Sequence, residues 1–168
     1  MCVERKGGIA RTVLEHPEAR FVFGYEQALG YLVAGRPLDK DGITAAVLLA
    51  EIAAVAAAEG TDLADRLDAL AARHGRHQIV ERSVPMDPAR GLEVVAALRD
   101  APPTVIDGRA VLSMTEYPEA GLLRFMVDGG IRLQVRPSGT EPKVKIYAEG
   151  VGVDPTTATA ALIDLLQS

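Results

Sequence analysis

The chain has 168 residues, of which 48% are hydrophobic and 24% charged, and its formal net charge of −5 argues against a nucleic-acid partner, which would need a basic face. The length is enough for one domain, or two small ones, with a sizeable core. Cys2 is the only cysteine, so no intrachain disulfide can form and a reducing cytoplasm is the expected location.

The first half of the chain predicts one strand and two helices. Residues 21–25 are apolar around a glycine and predict a short buried strand. Asp41 caps a predicted helix at about 43–59, and Thr61 is the predicted N-cap of a second helix at about 62–74. One strand cannot cover two apolar helices. We therefore expect this half to be the end of a larger α/β domain, completed by missing N-terminal domains or by self-association.

Neither membrane binding nor metal binding is expected of the chain. The apolar run 43–58 contains only two polar residues, but it is shorter than the roughly 20 residues that a bilayer requires. Charged side chains in the N-terminal segment leave no apolar stretch for a signal peptide. Asp39 and Asp41 do not have EF-hand spacing, and the three histidines lack the spacing of a metal-binding pair.

The second half, residues 76–168, predicts a self-contained domain. Its predicted strands lie at about 77–84, 110–115, 122–127, 131–135 and 144–148, and its predicted helices at about 88–99 and 155–166. Asp128-Gly129-Gly130 predicts a tight hairpin. The apolar positions of the helices include Leu92, Leu98 and Leu165. The expected fold class is α+β, with an antiparallel sheet backed by two helices, preceded by the α/β remnant of a preceding domain.

The loop between the last two predicted strands carries the most informative residues. It has the sequence Arg-Pro-Ser-Gly-Thr-Glu-Pro-Lys from 136 to 143. The hydroxyls of Ser138 and Thr140, with backbone N–H groups around Gly139, can donate to oxygens held in a concave turn, and Arg136 offers a planar fork to two of them. These residues predict a site for a phosphate monoester. In the alternative, the hydroxyls cap their own hairpin backbone, as in many turns.

A second candidate site follows the first predicted strand. Glu26 comes at the carboxyl end of that strand, which is the edge where open α/β sheets bind their ligands. Its carboxylate can accept hydrogen bonds from neighbouring sugar hydroxyls. In the alternative, which the spacing alone favours, Glu26 is a solvated carboxylate in the first turn of a helix.

The unbroken Arg-Pro-Ser-Gly-Thr-Glu-Pro at 136–142 resembles the phosphate-binding loop of the C-terminal domain of the phosphohexomutases, the family that includes phosphoglucomutase and phosphomannomutase. The resemblance implies a phosphate-binding set that consists of Arg136, Ser138, Gly139, Thr140 and Lys143. The segment 24–31 is similar to the family's sugar-binding loop, which implies that Glu26 contacts sugar hydroxyls. Ala28 stands where the family has a serine and offers no hydroxyl.

The resemblance extends from about residue 21 to residue 148 and implies the end of the family's third domain followed by its fourth. The implied activity is that of an isomerase, an intramolecular phosphotransferase that interconverts hexose 1-phosphate and hexose 6-phosphate. The family's phosphoserine motif, Thr-x-Ser-His-Asn-Pro, and its magnesium motif, Asp-Gly-Asp-x-Asp-Arg, do not occur in this sequence. We therefore expect a C-terminal fragment that binds a hexose mono- or bisphosphate without turnover, with no catalytic residue of its own and with magnesium only in the full-length enzyme.

Two other hypotheses are compatible with the sequence. The chain is alternatively a non-catalytic module from a truncated gene that binds a sugar phosphate or another protein. The second is that the sheet binds RNA. The acidic charge and the lack of paired aromatic residues in the predicted strands argue against this hypothesis.

Overall fold

The computed structural model describes residues 8–26, 30–33 and 38–167. They form two compact units that divide between Leu70 and Ala71. The boundary between residues 75 and 76 that the sequence predicts stays a prediction.

The first unit contains helices and a two-stranded hairpin. Its elements are α1 (Gly8–Glu15), β1 (Gly24–Glu26), β2 (Gly30–Leu32), α2 (Gly42–Ala58) and the start of α3 (Leu63–His74). The predicted buried strand at 21–25 is wrong in both position and burial. The strand begins only at Gly24 and pairs antiparallel with β2, while Val22 and Phe23 are exposed. Val22 and Phe23 precede the strand and therefore lie outside the hairpin.

The helix ends in this unit are fixed by carboxylates. Asp41 is the N-cap of α2, as predicted, and accepts hydrogen bonds from the backbone N–H groups of Ile43 (2.9 Å) and Thr44 (3.2 Å). The bond from Ile43 is the main reason that the pKa of Asp41 lies below its ordinary value. The predicted N-cap Thr61 is wrong, because its hydroxyl donates back to the Ala56 carbonyl instead.

The cap of α3 is a reciprocal pair of aspartates. The Asp62 carboxylate accepts from the Asp65 backbone N–H at 2.9 Å, and the Asp65 carboxylate accepts from the Asp62 backbone N–H at 3.0 Å. This is the geometry of a capping box with Asp at both positions. It satisfies two backbone donors that a single Thr61 cap would leave to water.

Helix α2 is apolar on every side, yet Ala56 is its one fully buried residue within the described structure. Ile43 and Val47 are among its exposed apolar side chains. No single helix among the described residues is long and apolar enough to cross a membrane. Helices α2 and α3 reach that length and composition only as a pair, and the chain bends by 90° between them.

The second unit is the predicted α+β domain. Its six strands form one antiparallel sheet in the order β3-β8-β7-β6-β5-β4. The strands are β3 (His77–Pro85), β4 (Val105–Ile106), β5 (Arg109–Tyr117), β6 (Leu122–Val127), β7 (Ile131–Pro137) and β8 (Lys143–Val151). Two helices, α4 (Pro88–Asp100) and α5 (Thr156–Gln167), pack on this sheet, and Pro118–Ala120 forms a short 3-10 turn. The prediction of an antiparallel sheet backed by two helices is therefore confirmed.

The sheet has one apolar and one polar face. Phe125, Leu133 and Ile146 point to the face covered by α4 and α5, where they are fully buried in one core cluster. Alternate residues point the other way, because successive side chains of a strand lie on opposite faces. We call this second side the polar face. It carries charged and hydroxyl-bearing side chains from β5 to β8.

The hairpin between β6 and β7 is tight, as predicted. Val127 pairs with Ile131, which leaves Asp128, Gly129 and Gly130 as the whole loop. Both glycines have positive φ angles, 84° and 81°, which side chains with a Cβ rarely adopt.

The buried stripes of the two helices differ in detail from the predicted ones. In α4 the buried residues are Gly91, Val94, Val95 and Leu98, whereas Leu92 is 63% exposed. Leu165 of α5 is likewise 40% exposed. The i, i+3, i+4, i+7 spacing that starts at Gly91 explains the α4 pattern, since Leu92 lies off that stripe.

A matched pair of substitutions on α4 tests this orientation. We expect Leu98→Ala to lower the free energy of unfolding by about 2–5 kcal/mol, because it opens a cavity in the core. Leu92→Ala removes the same atoms from an exposed position and should change that free energy by less than about 0.5 kcal/mol. Denaturant unfolding followed by circular dichroism measures both values. Equal losses would mean that α4 is rotated relative to the sheet.

Candidate functional site

The loop between β7 and β8, residues 138–142, is fixed to its two strands and to a neighbouring one. The Ser138 backbone N–H donates to the Lys143 carbonyl at 2.9 Å, and the Lys143 backbone N–H donates to the Glu141 carbonyl at 2.8 Å. The Met86 backbone N–H, just after β3, donates to the Pro142 carbonyl at 3.0 Å. These bonds and two prolines hold the loop in one shape at the end of the sheet.

The tip of this loop keeps donors that no protein group uses. In the described structure the Gly139 backbone N–H has no protein acceptor, and Gly139 and Thr140 are exposed. The Ser138 hydroxyl accepts from the Thr140 backbone N–H only at 3.5 Å, which is longer than an ordinary hydrogen bond. The Ser138 hydroxyl thus makes only this one long local bond among the described residues, and the phosphate-binding role of the loop stays a prediction.

Arg136 lies on the polar face of the sheet beside this loop. It pairs in register with Lys145 on β8, so the two cations lie directly opposite each other. Its Nε atom is buried without a hydrogen-bond partner. Neither side chain forms an ion pair with a carboxylate in the described part of the second unit. Like charges in directly opposed positions repel, and a bound anion would relieve that repulsion.

Lys143 is held inside the loop by an internal ion pair. Its ammonium nitrogen lies 2.8 Å from a carboxylate oxygen of Glu141. The hydrogen bond from Lys143 is the main reason that the pKa of Glu141 lies below its ordinary value, with a smaller contribution from the charge of Lys145. To contact a phosphate, Lys143 must therefore either break its ion pair with Glu141 or bridge Glu141 and the phosphate. Lys145 is the cation that the sequence reasoning missed, because its position opposite Arg136 depends on the strand register.

The predicted sugar-binding residues belong to the first unit. Glu26 is the last residue of β1 and pairs in register with Gly30, so its placement in the first turn of a helix is wrong. Its strand belongs to an antiparallel hairpin. The hypothesis that Glu26 binds sugar hydroxyls expects it instead at the carboxyl edge of an open α/β sheet. Ala28 lies outside the described residues, as does the side chain of Glu26, and their role in sugar binding stays a prediction.

Comparison with known proteins shows two matching family models. The model for the phosphoglucomutase/phosphomannomutase C-terminal domain matches residues 44–165, and the model for alpha/beta/alpha domain III of the same proteins matches residues 6–74. The β7–β8 loop lies within the first of these matches.

Similar full-length proteins are named as sugar-phosphate mutases. A probable phosphomannomutase of Haemophilus influenzae is 34% identical over 149 residues, which are 85% of this chain and 31% of the relative. A phosphoglucomutase of Staphylococcus haemolyticus is 28% identical over 83% of this chain and 29% of its own length. A human phosphopentomutase is 30% identical over 76% of this chain and 25% of its own length. The chain thus spans less than a third of the relatives it matches.

The Glu141–Lys143 pair generates a prediction for the pH titration of the loop. Because the pKa of Glu141 is lowered, the pair adds stability above the ordinary value of 4.5 and loses it as the pH falls through the lowered value. We expect Lys143→Gln to raise the pKa of Glu141 toward that ordinary value and Lys145→Gln to raise it less. The carboxyl carbon resonance of Glu141, followed against pH by NMR, gives both shifts. An unchanged pKa after Lys143→Gln would contradict the pairing.

Proposed function

The chain belongs to the phosphoglucomutase/phosphomannomutase family, and from that premise we propose that it binds the phosphate of a sugar phosphate in a mutase that interconverts hexose 1-phosphate and 6-phosphate. The observation that carries the proposal is the β7–β8 loop, where the Gly139 backbone N–H and the Nε atom of Arg136 have no hydrogen-bond partner in the described structure. The relatives are named for mannose, glucose and pentose substrates, and a sugar phosphate is what these substrates share. Because the relatives are named mutases, the alternative of a non-catalytic module is not favoured.

Each group at the loop has a distinct role in the proposed complex. The backbone N–H of Gly139 and the hydroxyls of Ser138 and Thr140 donate to the phosphate oxygens from one side. Arg136 donates two parallel N–H groups from the sheet side and supplies the positive charge that a phosphate dianion needs. Lys145, directly opposite Arg136, adds a second charge. This site holds the phosphate that is not being transferred, while the sugar's other end reacts elsewhere.

The strength of such a site follows from the number of charged hydrogen bonds. One bond to a charged group contributes about 1.5–3 kcal/mol, so two or three of them reach about −4 kcal/mol, which corresponds to millimolar affinity once ordering costs are subtracted. Millimolar binding is weak but measurable by NMR titration. Contacts from the rest of a full-length mutase would add to it.

We propose further that this chain binds its ligand without turning it over. Phosphoryl transfer needs a phosphoryl donor and cations that neutralise the transferred group. The family's phosphoserine motif does not occur in the sequence. Among the described residues no group of three or more His, Cys, Asp or Glu side chains is placed to hold a metal ion.

Titration with glucose 1-phosphate tests the binding site. We expect the amide resonances of Ser138, Gly139 and Thr140 to shift first. We expect Arg136→Gln to weaken binding by at least about tenfold, the loss of one charged hydrogen bond. Arg132→Gln is the matched control, because Arg132 lies on the same strand and face but is already paired with Glu149. Shifts confined to residues far from the loop, or equal effects of the two variants, would refute the site.

A coupled assay tests the absence of turnover. The chain alone should form no glucose 6-phosphate from glucose 1-phosphate, even with added Mg²⁺ and a bisphosphate primer, because it offers no phosphoryl donor. Formation of product at a rate proportional to protein concentration would contradict this half of the proposal and leave the binding half intact.

A further inference from the structure

We propose that Arg124 is a second guanidinium contact for the phosphate at the β7–β8 loop, and that Tyr117 holds it in place. The inference rests on the proposed function and adds two residues to its binding site. It comes from the polar face of the sheet, where cations from three neighbouring strands converge beside the loop.

The strand register places Arg124 next to Arg136. Arg124 on β6 pairs with Gln134 on β7, and Arg136 lies two residues further along β7 on the same face. Diagonal neighbours of this kind are about 7–8 Å apart at their backbones, within the reach of long side chains. Two arginine side chains in these positions can direct their guanidinium groups to one phosphate. Lys145 lies on the far side of Arg136, so that the three cations form one row.

Tyr117 keeps the Arg124 side chain at the loop end of the sheet. Tyr117 is the last residue of β5 and pairs with Leu122, the first residue of β6. The β7–β8 loop leaves the sheet at this same end, because Leu123 pairs with Val135 near the end of β7. The guanidinium carbon of Arg124 lies 5.1 Å from the centre of the Tyr117 ring, which is within cation–π distance. The side chain therefore leans toward Tyr117, at the end of the sheet from which the loop leaves.

Arg124 and Arg136 each have one buried guanidinium nitrogen, Nε, without a hydrogen-bond partner in the described structure. Buried N–H groups of a charged side chain are costly to leave unpaired. An anion bound between the two guanidinium groups and the loop would give them acceptors.

The carboxylates near this row are occupied elsewhere. Glu141 pairs with Lys143, and Glu149 pairs with both Arg132 and His77. No carboxylate lies within ion-pair distance of Arg124 in the part of the second unit that the structure describes. Arg124, Arg136 and Lys145 form no ion pair with a carboxylate in the described part of the second unit, and such a row suits a doubly charged phosphate monoester better than a neutral sugar.

The test compares inorganic phosphate binding by the full chain and its variants, measured from the amide shifts of Ser138, Gly139 and Thr140. We expect Arg124→Gln to weaken binding about tenfold, and Arg124→Lys to recover most of that loss because the charge remains. Arg90→Gln is the charge-matched control. Arg90 is on α4, on the other side of the sheet, where it pairs with Glu93, and its loss should change affinity less than about twofold.

The role of Tyr117 has its own pair of variants. Tyr117→Leu removes the aromatic face and should weaken phosphate binding by about threefold, whereas Tyr117→Phe keeps the face and should bind as the wild type does. Thermal unfolding of each variant identifies any general loss of structure. A structural role for Arg124 alone would lower the melting temperature without changing the affinity of the folded protein.

The possible failures are distinguishable. If wild-type chain binds phosphate at the loop and Arg124→Gln binds it as well as Arg90→Gln does, Arg124 is no part of the site and this inference is overturned. If wild-type chain shows no shifts at the loop with either inorganic phosphate or glucose 1-phosphate, the proposed function fails and this inference fails with it.

Discussion

The antiparallel register between β7 and β8 is the constraint on which the site depends. It places Val135 and Ile146 in the core and, on the opposite face, sets Arg136 against Lys145. The same register leaves five residues to connect the strands. A slip of one residue would move every side chain to the other face, which would bury the cations and expose the core. Packing energy from the apolar face thus holds together charges that would otherwise repel.

Local charge at this site is opposite in sign to the charge of the whole protein. The chain is acidic, with a formal net charge of −5, yet cations from β6, β7 and β8 lie side by side at one end of the polar face. Screening by salt limits the reach of distant charges to about 8–10 Å, so near neighbours decide what a site binds. A negative net charge is therefore compatible with a local arrangement that suits one small anion.

Much of the second unit was predictable because its patterns are local. Alternating residues identified β6 and β7 almost to their ends, and Gly129 and Gly130 marked the hairpin between them. The errors arose where two local signals compete or where an element is too short to show a pattern. Thr61 and Asp62 are both good caps, and the choice between them depends on Asp65. Strand β4 has two residues and offers no period to detect.

The sequence by itself determined which polar groups the β7–β8 loop contains, the alternation of faces along β6, β7 and β8 and the two-helix α+β architecture, because these follow from residue type and from the period of two. Tertiary structure alone decided which cations meet. Strand order and register set Lys145 opposite Arg136 and place Arg124 diagonal to it, whereas Lys143 pairs with Glu141 inside the loop. The two-residue period of a strand tells which face of the sheet a side chain lies on. Its neighbour on the next strand depends on strand order and register, which the packing of the whole core sets and no local sequence pattern contains.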